Sequence, residues 1–317
     1  MKGVVFVGDR KLELRDFPDP TPGPRDVVLE IKASGMCGSD LHVYRAAFKP
    51  GDTTSGFKRG AEPVIAGHEP CGIVVAVGTG VIPQEARSGQ RVMNHHYTGC
   101  GSCKHCRSGW AQMCLEGSIV FGANGNGGHA RYMKVPVHTL VPLPDTLSFE
   151  TGAAISCGTG TAYGALKRLN LQGGEIIAIF GQGPVGLSAT QLAVAMGARV
   201  IALDISPERR ALAHEFGANE VIDARSNNPV EAFRELTHGE GAHKTLDTSG
   251  ASEGASSRGA GDTNLGNGLL HRRARAGHPR CEPRPFAPAN HIGRLMDLLN
   301  AGASRLRRVR GGLQCCR

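Results

Sequence analysis

Glu175-Ile176-Ile177-Ala178-Ile179-Phe180-Gly181-Gln182-Gly183-Pro184-Val185-Gly186 is the stretch that decides the fold. The apolar run after Glu175 shows no polar alternation, so it reads as a short strand buried on both faces, as in a parallel sheet. It runs into Gly-x-Gly-x-x-Gly and then a helix reaching Met196. Strand before and helix after turn a weak motif into a useful one. Gly181 permits the tight turn, Gly183 lets backbone approach a pyrophosphate, and Gly186 lets the helix sit close to the sheet. Pro184 and Val185 complete the turn, and the helix N-terminus faces the phosphates.

Downstream, Arg199-Val200-Ile201-Ala202-Leu203-Asp204 is a second strand, and another helix starts near Pro207. Strand alternating with helix implies a doubly wound parallel sheet. Asp204 ends the second strand, where a carboxylate accepts from a ribose 2′-hydroxyl and repels a 2′-phosphate, favouring NAD over NADP. Arg209 reads equally as a contact on the adenosine side or as a solvated helix residue. Upstream, Ser156–Leu169 is helical in pattern. Residues 1–150 are mostly β: Val27–Lys32, Gly72–Gly78 and Ala130–Val135 are short β-branched runs, and prolines at 18, 20, 22 and 24 form a connector. Val141-Pro142-Leu143-Pro144 ends the all-β part, and no internal repeat is found.

Between residues 97 and 117 the β pattern gives way to Cys100-x2-Cys103-x2-Cys106-x7-Cys114. Four thiolates so close together can close a tetrahedron around one zinc, leaving no position for water, which makes the site structural. The competing readings are a disulfide cluster or coincidence. His95, His96 and His105 read as flanking surface residues. Cys37, His68 and Cys157 are scattered and singly unremarkable. Together they supply the Cys, His, Cys set with one open position that a catalytic zinc requires.

Bulk composition narrows the function classes. Hydrophobic residues make up 40% and aromatics 5% of 317 residues, and no apolar run approaches the length of a membrane span. No secretory signal is read at the start, so the chain is expected in the cytoplasm, where cysteines stay reduced. The net charge of +8 is local: residues 258–317 hold 12 Arg, no Lys and 3 acidic residues, and the rest is nearly neutral. That stretch has a single aromatic, Phe286, and no helix period, so nucleic-acid binding is not expected.

From residue 1 to about 257, these pieces in this order resemble the zinc-containing medium-chain dehydrogenase/reductase family of alcohol, polyol and threonine dehydrogenases. The resemblance implies an α/β protein: a GroES-like β domain (1–150, with the zinc lobe at 97–117) followed by a Rossmann NAD-binding domain (151–257). It implies two zinc ions per chain, one held by Cys37, His68 and Cys157 and one by Cys100, Cys103, Cys106 and Cys114. Glu69 matches the carboxylate beside the ligand histidine, and Asp40 the acid near the first cysteine. Ser39 matches the hydroxyl that takes the substrate proton, and His42 the histidine that passes it to solvent. Thr161 matches the threonine beside the nicotinamide. The implied reaction moves a hydride from a small-molecule alcohol, polyol or similar hydroxyl compound to NAD, and family members form homodimers or homotetramers. The zinc-free quinone reductases fit poorly, for they lack both cysteine sets.

After Asp247–Gly254 the resemblance stops. Residues 258–317 become Arg-, Gly- and Pro-rich without strand or helix period. They are expected to be off-frame and disordered, leaving the Rossmann sheet incomplete. Codons permitted for Asn264–Ala274, read one nucleotide later, can spell a family-like strand, and Met296 before Asp297 must then yield Trp. On that reading the chain would bind NAD weakly and turn over poorly. The alternative function is a non-enzymatic zinc-binding remnant of such an enzyme.

Overall fold

The computed structural model describes residues 1–51, 59–225 and 229–250. The expected off-frame tail, residues 258–317, lies outside the described residues. The described chain falls into two compact units, divided between Cys157 and Gly158.

The first unit contains β1 (Lys2–Gly8), β2 (Lys11–Asp16), β3 (Asp26–Gly35), α1 (Gly38–Arg45), β4 (Glu69–Val77), β5 (Arg91–Asn94), β6 (Tyr97–Thr98), α2 (Lys104–Arg107), β7 (Ile119–Val120), β8 (Tyr132–Pro136), β9 (Leu140–Pro142) and α3 (Phe149–Ala154). The strands β8-β3-β4-β5-β9 form one antiparallel sheet, and β1-β2 and β6-β7 are separate hairpin-like pairs. In β8, Met133 and Val135 point inward and Lys134 outward, the period of a half-buried strand. Both join Val27, Leu29, Val74, Val92 and Phe121 in the core. The proline connector links β2 to β3. Gly35 at the end of β3 pairs with Glu69 at the start of β4. This register brings the segment leading to Cys37 beside the residue following His68.

A single π-helical turn, Ile155–Thr159, continues α3 and carries Cys157. The second unit then runs α4 (Gly160–Arg168), β10 (Ile176–Phe180), α5 (Pro184–Ala195), β11 (Arg199–Asp204), α6 (Pro207–Glu215), β12 (Glu220–Asp223), α7 (Pro229–Leu236) and β13 (Lys244–Asp247). Its strands are parallel in the order β12-β11-β10-β13. β10 is central, and Ile177 and Ile179 are fully buried, as the apolar run requires. Ser206 caps α6 by accepting from Arg209 N at 3.2 Å, with Pro207 in the first turn, where its missing N–H costs nothing.

Candidate functional site

Cys37 is the N-cap of α1, and Asp40 completes a reciprocal capping box. Asp40 Oδ2 accepts from Cys37 N at 2.9 Å, while Oδ1 accepts from His68 Nδ1 at 3.1 Å. One buried carboxylate therefore holds the backbone of one candidate ligand and the ring of another. Anchored through Nδ1, His68 turns Nε2 toward Cys37 Sγ, 3.0 Å away, and that nitrogen offers a lone pair on the same side once its proton is lost. Ser39 Oγ lies 2.8 Å from Cys37 Sγ and 3.3 Å from His68 Nε2.

Donor atoms of Cys37, His68, Glu69 and Cys157 all lie within 4.8 Å of one another. Their acidities show how crowded they are. A hydrogen bond from Cys157, with others from His68 and Ser39, lowers Cys37 to about 4 against the cost of burial. Cys157 is pushed up by that hydrogen bond, then by burial and by the Cys37 charge. Burial opposes the charged form of His68, but hydrogen bonds to Asp40 and Cys37 prevail and raise it to about 10. Burial and the nearby Cys37 thiolate raise Glu69 to about 7. Negative charge in this cluster thus lacks compensation, and two sulfurs with an imidazole are the donors a thiophilic divalent cation takes. The residues fit zinc.

Sequence reading did not foresee the wall beside these donors. His96 was expected at the surface, but it is only 6% exposed. Its ring meets His68 edge-on at 5.4 Å between centroids, and its Nδ1 is 3.3 Å from Ser156 O, on the residue before Cys157. The polar Asn94-His95-His96-Tyr97 run masked a buried position. Tyr97 packs on His96 at 4.1 Å, and burial above all raises its phenol to about 12. His42 is exposed on the next turn of α1 and makes no ring hydrogen bond among the described residues.

The second cysteine group also converges, its four sulfurs within 4.8 Å of one another. Backbone N–H groups point at sulfur: Cys100 N to Cys114 Sγ at 3.3 Å, Cys103 N to Cys100 Sγ at 3.3 Å and Cys106 N to Cys103 Sγ at 3.5 Å. Bonds from the Ser102 hydroxyl and from backbone lower Cys100 to about 6, while partial desolvation and the crowding of the Cys103, Cys114 and Cys100 sulfurs raise Cys106 to about 12. Cys100 Sγ and Cys106 Sγ stand 4.0 Å apart. A disulfide needs about 2.05 Å. Tetrahedral zinc with bonds of about 2.3 Å separates its sulfurs by about 3.8 Å. The spacing fits the metal. No residue from 99 to 118 is buried, so this loop has no apolar core of its own.

In the second unit the glycine turn has the form the motif calls for. Gly181 has φ +83°, and a Cβ on Gly186 would collide with Gly181 O and stand 2.8 Å from Thr248 Oγ1. Among the described residues, a Cβ on Gly183 would meet nothing within 4 Å. Gly183 caps α5 with no side-chain hydrogen bond, and Pro184 follows it. The open side of the turn and the bare helix end suit a pyrophosphate. Asp204 Oδ2 accepts from Gln182 N at 2.6 Å, and its Oδ1 accepts from Ser206 N at 2.8 Å, which locks the acid beneath the turn. Arg209 lies exposed on α6, 3.8 Å from that carboxylate. Thr161 is exposed in the first turn of α4. Gln182 was not singled out from the sequence. It is fully buried, donating to Ile179 O and accepting from Thr190 Oγ1.

Comparison with known proteins agrees with these observations. Residues 23–145 match the alcohol dehydrogenase GroES-like domain, and residues 184–257 match the zinc-binding dehydrogenase domain. The chain is 40% identical over 264 residues to the uncharacterized zinc-type alcohol dehydrogenase-like protein YphC of Escherichia coli K12, covering 80% of this chain and 72% of that protein. It is 35% identical over 252 residues to an alcohol dehydrogenase of Geobacillus stearothermophilus, covering 78% of this chain and 70% of that one. Alcohol dehydrogenase TADH from Thermus sp. ATN1 superposes with a TM-score of 0.71 at 32% identity, covering 81% and 72% of the two chains. On these grounds the chain belongs to the zinc-containing medium-chain alcohol dehydrogenase family.

Proposed function

We propose that this protein is a zinc-dependent dehydrogenase that passes a hydride from a small-molecule alcohol to NAD. The observation that carries the reading is the convergence of Cys37, His68, Glu69 and Cys157 donors within 4.8 Å, with Asp40 holding two of the four residues in place.

Cys37, His68 and Cys157 would hold the catalytic ion, and Cys100, Cys103, Cys106 and Cys114 a second, structural one. A zinc ion in the first set supplies Lewis acidity, lowering the pKa of an alcohol hydroxyl toward neutrality. Ser39 Oγ, beside both Cys37 and His68, takes the hydroxyl proton, and the exposed His42 one turn on hands it to water. Asp40 and Glu69 set the orientation and charge around the donors. Gly181, Gly183, Pro184, Val185 and Gly186 receive the pyrophosphate at the start of α5, and Asp204 holds the adenosine ribose, which disfavours a 2′-phosphate. Arg209 flanks the adenosine and Thr161 the nicotinamide. NAD supplies the hydride acceptor.

The test is NADH formation from a panel of alcohols, polyols, sugars and threonine. Turnover with NAD that is lost in Cys37→Ser supports the reading. Two zinc ions per chain with no turnover on any member would leave the non-enzymatic remnant in its place.

A further inference from the structure

One imidazole outside the donor cluster touches the two backbone segments that deliver Cys37 and His68. His129 Nδ1 lies 2.8 Å from Ser34 Oγ, near the end of β3 and three residues before Cys37. The same ring covers Gly67, the residue before His68: a Cβ there would collide with Nδ1 and stand 2.7 Å from both Cε1 and Cγ. Gly67 has φ +90°, so side chains are disfavoured there on backbone grounds as well.

The segment bearing His129 is itself anchored. Gly127 N donates to Ile65 O at 2.7 Å, Gly128 N to Gly67 O at 2.8 Å, and His129 N to Ala66 O at 2.9 Å. Val4 N donates to His129 O at 3.0 Å, and Phe6 meets the ring edge-on at 6.3 Å. Filling space over Gly67 needs only an apolar ring. The nitrogen adds a directional bond from this anchored segment to β3. That bond adds a side-chain tie to the β3–β4 pairing that brings together the carriers of Cys37 and His68, whose donor atoms are 3.0 Å apart.

We propose that His129 is a positioning residue of the Cys37–His68–Cys157 centre, a strut that holds the end of β3 against the loop presenting His68. This rests on the reading of that centre as a zinc site.

The test compares wild type, His129→Phe and His129→Asn as full chains. Zinc transfer to a chelator is followed as two phases, assigned with Cys37→Ser and Cys106→Ser, and cobalt(II) is substituted to read the visible bands of each site. Loss of a ligand's own hydrogen-bond partner weakens metal affinity about 10- to 100-fold, and His129, which bonds Ser34 beside the ligands, falls at the low end. His129→Phe should therefore speed release from the Cys37 centre about tenfold and shift its cobalt bands, with the tetracysteine phase unchanged. His129→Asn places an amide where Nδ1 stands and should restore both readouts. The proposal is overturned if His129→Phe leaves the Cys37 phase and bands as in wild type, if both phases change alike, or if Asn does no better than Phe. A wild type whose metal content is unaffected by Cys37→Ser would instead sink the zinc assignment, and this proposal with it.

Discussion

Replacing Asp40 by Asn tests how the first metal centre is built. The acid is 3% exposed and accepts two bonds, from Cys37 N and from His68 Nδ1. Asparagine has one acceptor oxygen and one donor amide of nearly the same shape. The backbone N–H of Cys37 is an obligatory donor and claims the oxygen. The amide then faces His68 Nδ1, which must accept, so the ring carries its proton on Nε2 instead. Nε2 is the atom beside Cys37 Sγ, and a protonated Nε2 has no lone pair for a metal. Restoring the tautomer turns the oxygen to His68 and leaves the buried Cys37 N–H without its acceptor, which costs about 1–3 kcal/mol. That range equals roughly a 5- to 100-fold loss of zinc affinity, close to the size found for outer-shell changes at other metal sites. The assay is competition for zinc with a chromophoric chelator, the tetracysteine site serving as the internal reference. Unchanged affinity in Asp40→Asn, or equal loss from both sites, would refute the reasoning.

Other predictions use the same measurements. Zinc affinity at the first centre should rise with pH by about two log units per unit between about pH 7.5 and 9, because binding displaces one proton from His68, raised to about 10, and one from Cys157, also raised. Cys37, held near 4, has none left to release in that window, and a flat profile would contradict the assignment. Cys106→Ser should remove one zinc of two and expose residues 99–118 to protease, with the other site still loaded, as metal analysis and limited digestion will show. Gly186→Ala should open the glycine turn and destabilise the second unit, seen by thermal melting. Gly183→Ala, whose new methyl would touch none of the described residues, should fold normally yet weaken NADH binding about tenfold or more by fluorescence titration.

Much of the fold was legible because its signals are local. The Ile-rich run became β10, the Gly-x-Gly-x-x-Gly turn opened α5, and Asp204 closed β11. The four clustered cysteines are also readable from spacing, since their neighbours in sequence are their neighbours in space. Cys37, His68 and Cys157 depend on strand register and on a π turn, neither of which has a one-dimensional signature, so only their donor types and the resemblance could group them. His96 escaped because polar runs normally mark surface, and here the polarity belongs to a buried wall. The Ser34–His129 contact spans three segments and leaves no periodic trace. Its one sequence hint is the glycine density around Gly67 and Gly122–Gly128, where backbones lie too close for side chains.

The cysteine loop differs in kind from everything around it. Met113, Leu115 and Ile119 face solvent at 44%, 62% and 47% exposure, so apolar collapse does little to shape it. What gathers the chain there is ligation, as a drawstring gathers cloth. Newly made protein would then acquire this lobe only as fast as zinc is delivered, and under metal starvation it would be the first part left open to proteolysis.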